Sequence, residues 1–154
     1  MTDAPIPAAA LRLGLAGLIP TVAVLAAMGM LPGWRLLAAG IGIAYGAVIL
    51  SFVGGAWWGI AAARAEGTAQ GRLLAIAVLP SFPAWLALLL PPVPGLVLLG
   101  LAFLALLPAD ARLAREGLAP PWWFALRRVL SVAMAALHLA MAGWLVLSGP
   151  AFPG

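Results

Sequence analysis

The chain has no cysteine and no lysine, and in 154 residues it carries only four acids and one histidine. Without cysteine there are no disulfides and no thiolate metal sites. The acids stand apart at Asp3, Glu66, Asp110 and Glu116, and no P-loop, nucleophile elbow, HExxH or paired-carboxylate motif is present. Nothing therefore marks the chain as an enzyme or calls for a cofactor. A single histidine supplies one ligand to a metal or haem, and no second is in view. Charged residues make up 8% of the chain and hydrophobic ones 66%, against about 25% charged in ordinary soluble domains. That balance leaves no room for a soluble domain.

What is present is apolar sequence in long runs. Residues 11–31, 36–63, 73–90, 94–108 and 126–147 read as five spans, measured against the about 20 residues needed to cross hydrocarbon. The fourth is barely long enough. Pro32-Gly33 and Pro91–Gly95 read as tight turns, and 64–72 and 110–128 as polar connections. The first span is expected to stay in place, since a cleaved signal would need more than Arg12 and a small-x-small site. The expected fold is an all-α, polytopic membrane helical bundle of five transmembrane helices in a single integral membrane domain.

The arginines orient it. Arg12, Arg64, Arg72, Arg112, Arg115, Arg127 and Arg128 fall on one side of a five-span chain, with only Arg35 on the other. Scattered at segment ends, they form no basic stripe for nucleic acid. The positive-inside rule puts the amino terminus in the cytoplasm and the carboxyl terminus in the periplasm. All four acids lie outside these spans, and Asp110 is expected to pair with Arg112, Arg115, Arg127 or Arg128 in a cytoplasmic connection. Trp34, Trp122, Trp123 and Trp144 read as interfacial anchors, while Trp57, Trp58 and Trp85 lie deeper.

The second span is expected to organise the others. Gly40, Ala44, Ala47, Ser51, Gly55 and Gly59 recur at steps of three or four and line one helical face. Small residues let helix backbones approach closely in a bilayer, so this stripe is the expected packing face. Gly42, Gly46 and Gly54 lie off it. At mid-membrane depth, counted at about 1.5 Å per residue, Pro20, Pro80 and His138 share a level with Ser51 and Pro83 nearby. His138 is either a neutral imidazole bonded to Ser51, Tyr45 or a freed carbonyl, or a ligand contact. Pro80 and Pro83 each free a carbonyl. Tyr45, Ser51, Trp58, Pro80, Trp85 and His138 are the candidate contacts of a pocket at this level, with Trp85 placed to stack on a flat ligand.

Three stretches carry a resemblance. They are Ala16-Gly17-Leu18-Ile19-Pro20, the run Tyr45–Gly59 ending in Trp58-Gly59, and Leu79-Pro80-Ser81-Phe82-Pro83-Ala84-Trp85. Pro120-Pro121-Trp122-Trp123 with Leu126-Arg127-Arg128 fits the same pattern. Together they resemble the small multi-pass proteins of bacteria and mitochondria typified by transmembrane protein 69, a family of unknown function. The resemblance implies a five-helix protein of the bacterial inner membrane and supplies no catalytic residues.

Two functions are expected from these readings. One is a non-enzymatic accessory or assembly factor packing against a larger membrane complex, so that a membrane-protein partner joins the lipid bilayer as its surroundings. The alternative is a binder or carrier of a small hydrophobic ligand, a quinone, lipid or tetrapyrrole, in a mid-membrane pocket.

Overall fold

The computed structural model describes residues 4–148, and these are helical with no strand among them. Asp3 and the tail beyond Ser148 fall outside the described residues. The helices are α1 (Ala8–Ala16), α2 (Ile19–Met30), α3 (Arg35–Arg64), α4 (Gly67–Val78), α5 (Ser81–Leu89), α6 (Pro92–Ala105), α7 (Leu107–Arg115) and α8 (Trp123–Ser148). Joined end to end, they make five stretches long and apolar enough to cross a membrane: Ala8–Met30, Pro32–Arg64, Gly67–Leu89, Pro92–Arg115 and Trp123–Ser148.

Proline explains why three of the five are broken. A proline has no N–H for the carbonyl four residues back, so the helix turns or kinks there. Pro20 opens α2 after the Gly17-Leu18 turn, Pro80 separates α4 from α5, and Pro108 follows the break at Leu106. At the first break the Gly17 carbonyl accepts the Tyr45 hydroxyl at 2.8 Å. A tyrosine on α3 thus holds the joint between α1 and α2.

Two spans extend further than their sequence suggests. The fourth runs 24 residues to Arg115 rather than ending near Pro108, so Asp110 lies inside it and not in a loop. The third begins at Gly67, which makes most of the 64–72 connection the first turns of α4. At the opposite end of the bundle Arg35 donates from Nε to the Met28 carbonyl at 3.1 Å and from Nη1 to the Ser148 carbonyl at 3.4 Å. Those carbonyls lie near helix C-termini, where intrahelical partners run out. The same contacts bring the starts and ends of α2, α3 and α8 together as five alternating spans require.

The central helix is α3, which touches α2, α4, α5, α6 and α8. Its packing face is not the expected one. Gly40, Ala44, Ser51, Gly55 and Gly59 are exposed and only Ala47 of that stripe is buried, while the off-stripe Gly42, Gly46 and Gly54 face the bundle interior. A Cβ added at Gly40, Gly55 or Gly59 would meet nothing within 4 Å. A Cβ at Gly54 would instead run into the Ala77 carbonyl, where α3 and α4 approach backbone to backbone. Periodicity identified a smooth face correctly; which smooth face meets a neighbour was decided by the other helices. Leu50, Leu96, Leu99, Phe103, Met28 and Met141 fill the interior.

Candidate functional site

A polar cluster sits at the end of the bundle where α3 finishes, α7 lies and α8 begins. Asp110 is 0% exposed. Its Oδ1 accepts both Trp57 Nε1 and Trp123 Nε1 at 2.8 Å, and its Oδ2 accepts Arg127 Nε at 3.1 Å. Arg127 in turn donates from Nη2 to Ser131 Oγ at 3.0 Å. The local sequence makes this possible. The break at Leu106 starts the amphipathic helix α7, which buries Asp110 and Leu113 and leaves Arg112 and Glu116 paired outside at 2.7 Å. Arg127 and Ser131 are one turn apart on α8, so both reach the same place.

A buried ion pair is tolerated when further hydrogen bonds satisfy the groups around it. Here two indole N–H groups supply those bonds to the carboxylate. Pairing of Asp110 with an arginine was legible in the sequence. Its burial and its two tryptophan donors were not. Trp123 is no simple interfacial anchor, since its N–H points to Asp110. The available signal was a short one: Trp57 is a strong donor in a span otherwise nearly free of polar side chains.

The second polar centre is His138, also 0% exposed. Its Nδ1 lies 2.7 Å from the Met134 carbonyl one turn back on α8. A carbonyl can only accept, so Nδ1 carries the hydrogen. Among the described residues, Nε2 is the one buried side-chain nitrogen or oxygen with no partner. It rests against Gly46, where any Cβ would collide with it, and the ring tilts at 40° to Phe103 with centroids 5.5 Å apart. Neither Ser51 nor Tyr45 bonds to it.

Three larger hollows lie among the described helices, besides a small one of about 30 Å³ next to Trp57. The first, about 230 Å³, lies beneath α1, between it, α3 and α8, and ends on Trp123, Arg127 and Ser131. Exposed Leu13 and Phe52 form its rim, and Ile49, Phe103 and Met134 are among its apolar walls. The second, about 270 Å³, lies against Pro80 and Pro83 and is lined by Leu50, Trp57 and Ala102. The third is an open groove of about 530 Å³ between α3 and α5, with Ser51, Ser81 and Trp85 on its sides.

The six candidate contacts are therefore dispersed. Pro80 lines the second hollow, Ser51 and Trp85 the groove, and Tyr45 secures the turn above the first. Trp58 faces outward, and His138 lines none of the three. Equal depth along separate helices did not mean a common pocket, because each side chain leaves its helix in its own direction. Among the described residues no group of three or more histidines and acids could hold a metal ion.

Comparison with known proteins finds a family model and a relative by sequence. A family model described as a protein of unknown function (DUF3429) matches residues 6–143. Transmembrane protein 69 of Xenopus tropicalis is 38% identical over 142 residues, covering 86% of this chain and 52% of that protein. The chain thus spans about half the length of the curated relative it matches. No solved structure matches.

Proposed function

Because the chain belongs to the DUF3429 family of membrane proteins, for which no activity is known, we propose that it is a non-enzymatic binder of a small hydrophobic ligand held beneath α1. The observation that carries this reading is the make-up of that cavity: apolar walls leading to Arg127 and Ser131. Ligand sites are typically apolar hollows with a few well-placed polar groups. A volume of about 230 Å³ falls below the usual range of about 300–1,000 Å³. It suits one ring or the head of a lipid, with a tail running out past Leu13 and Phe52, and it is too small for a tetrapyrrole. Mass spectrometry of small molecules co-purifying in mild detergent tests the reading. The parent should carry a bound species that Ala56→Phe, which fills the cavity, loses; identical profiles would end the proposal.

A second reading, an accessory or assembly factor in a larger membrane complex, is favoured by the outward stripe of α3. Gly40, Gly55 and Gly59 offer a smooth surface unused by this chain's own helices, of the kind a neighbouring membrane helix approaches closely. Gly55→Leu should then release a stoichiometric partner protein without disturbing the fold. Retention of every partner by that variant would remove this reading.

The setting we propose for either role is the bacterial inner membrane, with the arginine-rich end of the bundle in the cytoplasm. A reporter active only in the cytoplasm should work when inserted at Gly117 and be silent when fused at Gly154. Activity at Gly154 would reverse or break the topology.

A further inference from the structure

We infer that the cavity beneath α1 selects amphiphiles whose head is an uncharged carbonyl, with the guanidinium of Arg127 as the donor that recognises it. This rests on the ligand-binding reading above and specifies its chemistry.

The argument starts from what Arg127 leaves unused. Its Nε is taken by Asp110 and its Nη2 by Ser131. Among the described residues no bond engages Nη1, yet Nη1 is not among the sealed, partnerless atoms, of which His138 Nε2 is the one found there. That nitrogen therefore keeps some exposed surface, and the cavity is the hollow that Arg127 lines. Arg127 itself is buried, with 7% of its surface exposed. A planar guanidinium offers its donors in a fixed fork, so two bonds on one side aim the remaining nitrogen in a set direction.

Charge decides what that nitrogen can take. Asp110 and Arg127 together are neutral. An anionic head, a carboxylate or phosphate, would leave one net negative charge in an apolar enclosure, and an unpaired buried charge is costly. A hydrocarbon would leave the donor unmade. A ketone, quinone or ester oxygen accepts the hydrogen bond and keeps the site neutral. The aromatic rings of Phe103 and Trp123 in the wall would lie beside a flat or ester head, and the tail would continue to the rim. Quinones and diacylglycerols share this chemistry.

The test uses the full chain in mild detergent and native mass spectrometry with four probes of similar tail: a decyl benzoquinone, a short-chain diacylglycerol, decanoate and decylbenzene. The quinone, the diacylglycerol or both should bind about tenfold or more tightly than decanoate and decylbenzene, as expected for one hydrogen bond to a charged donor. Whichever of the two binds more tightly identifies the source. Arg127→Lys keeps a cation for Asp110 but loses the fork, and should abolish that preference. Preference for decanoate in the parent, or an unaltered carbonyl preference in Arg127→Lys, overturns the inference. In those cases loss of all probes in Ala56→Phe still upholds the cavity as a ligand site. Should Ala56→Phe bind every probe as the parent does, the cavity reading falls and the inference with it. The parent's own ranking of probes decides the matter even where Arg127→Lys does not accumulate.

Discussion

Asp110 and His138 are both sealed completely inside the bundle, yet their hydrogen bonding is opposite. Asp110 is met by two indoles and a guanidinium from two other helices. His138 bonds one turn back along its own helix and leaves its second nitrogen bare. The first centre ties α3, α7 and α8 together through polar groups that match. The second is accommodated by subtraction: Gly46 gives up a side chain so that the ring can fit. A buried polar residue can thus join helices, or merely be housed between them.

The comparison breaks most sharply at Asp110. Asp110→Leu should destabilise the chain by about 3–5 kcal/mol in detergent melting, because it strands Arg127 as an unpaired buried charge. Asp110→Leu with Arg127→Met should recover most of that loss, since no charge is then left alone. If the double variant melts no higher than the single one, the carboxylate has a role apart from the pair.

Gly46→Ala comes next. Its methyl group collides with the imidazole, and overpacking typically costs about 1–3 kcal/mol. Combining it with His138→Ala should restore stability, because the obstructing ring is gone. Lack of rescue would locate the conflict at Leu99, whose side chain also approaches that point.

His138→Leu should shift stability by only about 1 kcal/mol, since it gives up one bond back along its own helix and puts an apolar group where Nε2 had no partner. A loss above about 3 kcal/mol would mean that Nε2 has a partner worth more than packing. Smallest of all, Gly55→Leu should change melting by no more than about 0.5 kcal/mol, as expected for a surface change that touches nothing. A large drop there would return the packing face to the outward stripe.

The five spans were legible because apolar runs of this length, with charge only at their ends, can do little else. Helix ends were less legible. Gly67 to Arg72 has the composition of a loop, and Pro108 followed by Asp110 has that of a helix end, yet both are helical. The outward stripe of α3 misled for a physical reason. In a bilayer the lipid-facing and protein-facing sides are both apolar, so hydrophobicity does not tell which smooth face meets a neighbour. The Asp110 centre was only half readable. Its arginine lies near it in sequence, but Trp57 is 53 residues away, and nothing local signals that an indole is aimed at it.

The position of α1 bears on how the protein is made. This helix buries no residue of its own, and its packing surface is α8, with Gly14 set against Leu130 and Leu126. Chains emerge amino terminus first during synthesis, so residues 8–16 enter the bilayer before any of the surface they rest on has been translated. Among the described helices α1 is therefore made first but seated only once α8 exists, and the hollow beneath it cannot form before then. Any molecule held there must arrive after α8 has been made, and a chain truncated before Trp123 would leave the α8-facing side of α1 against lipid.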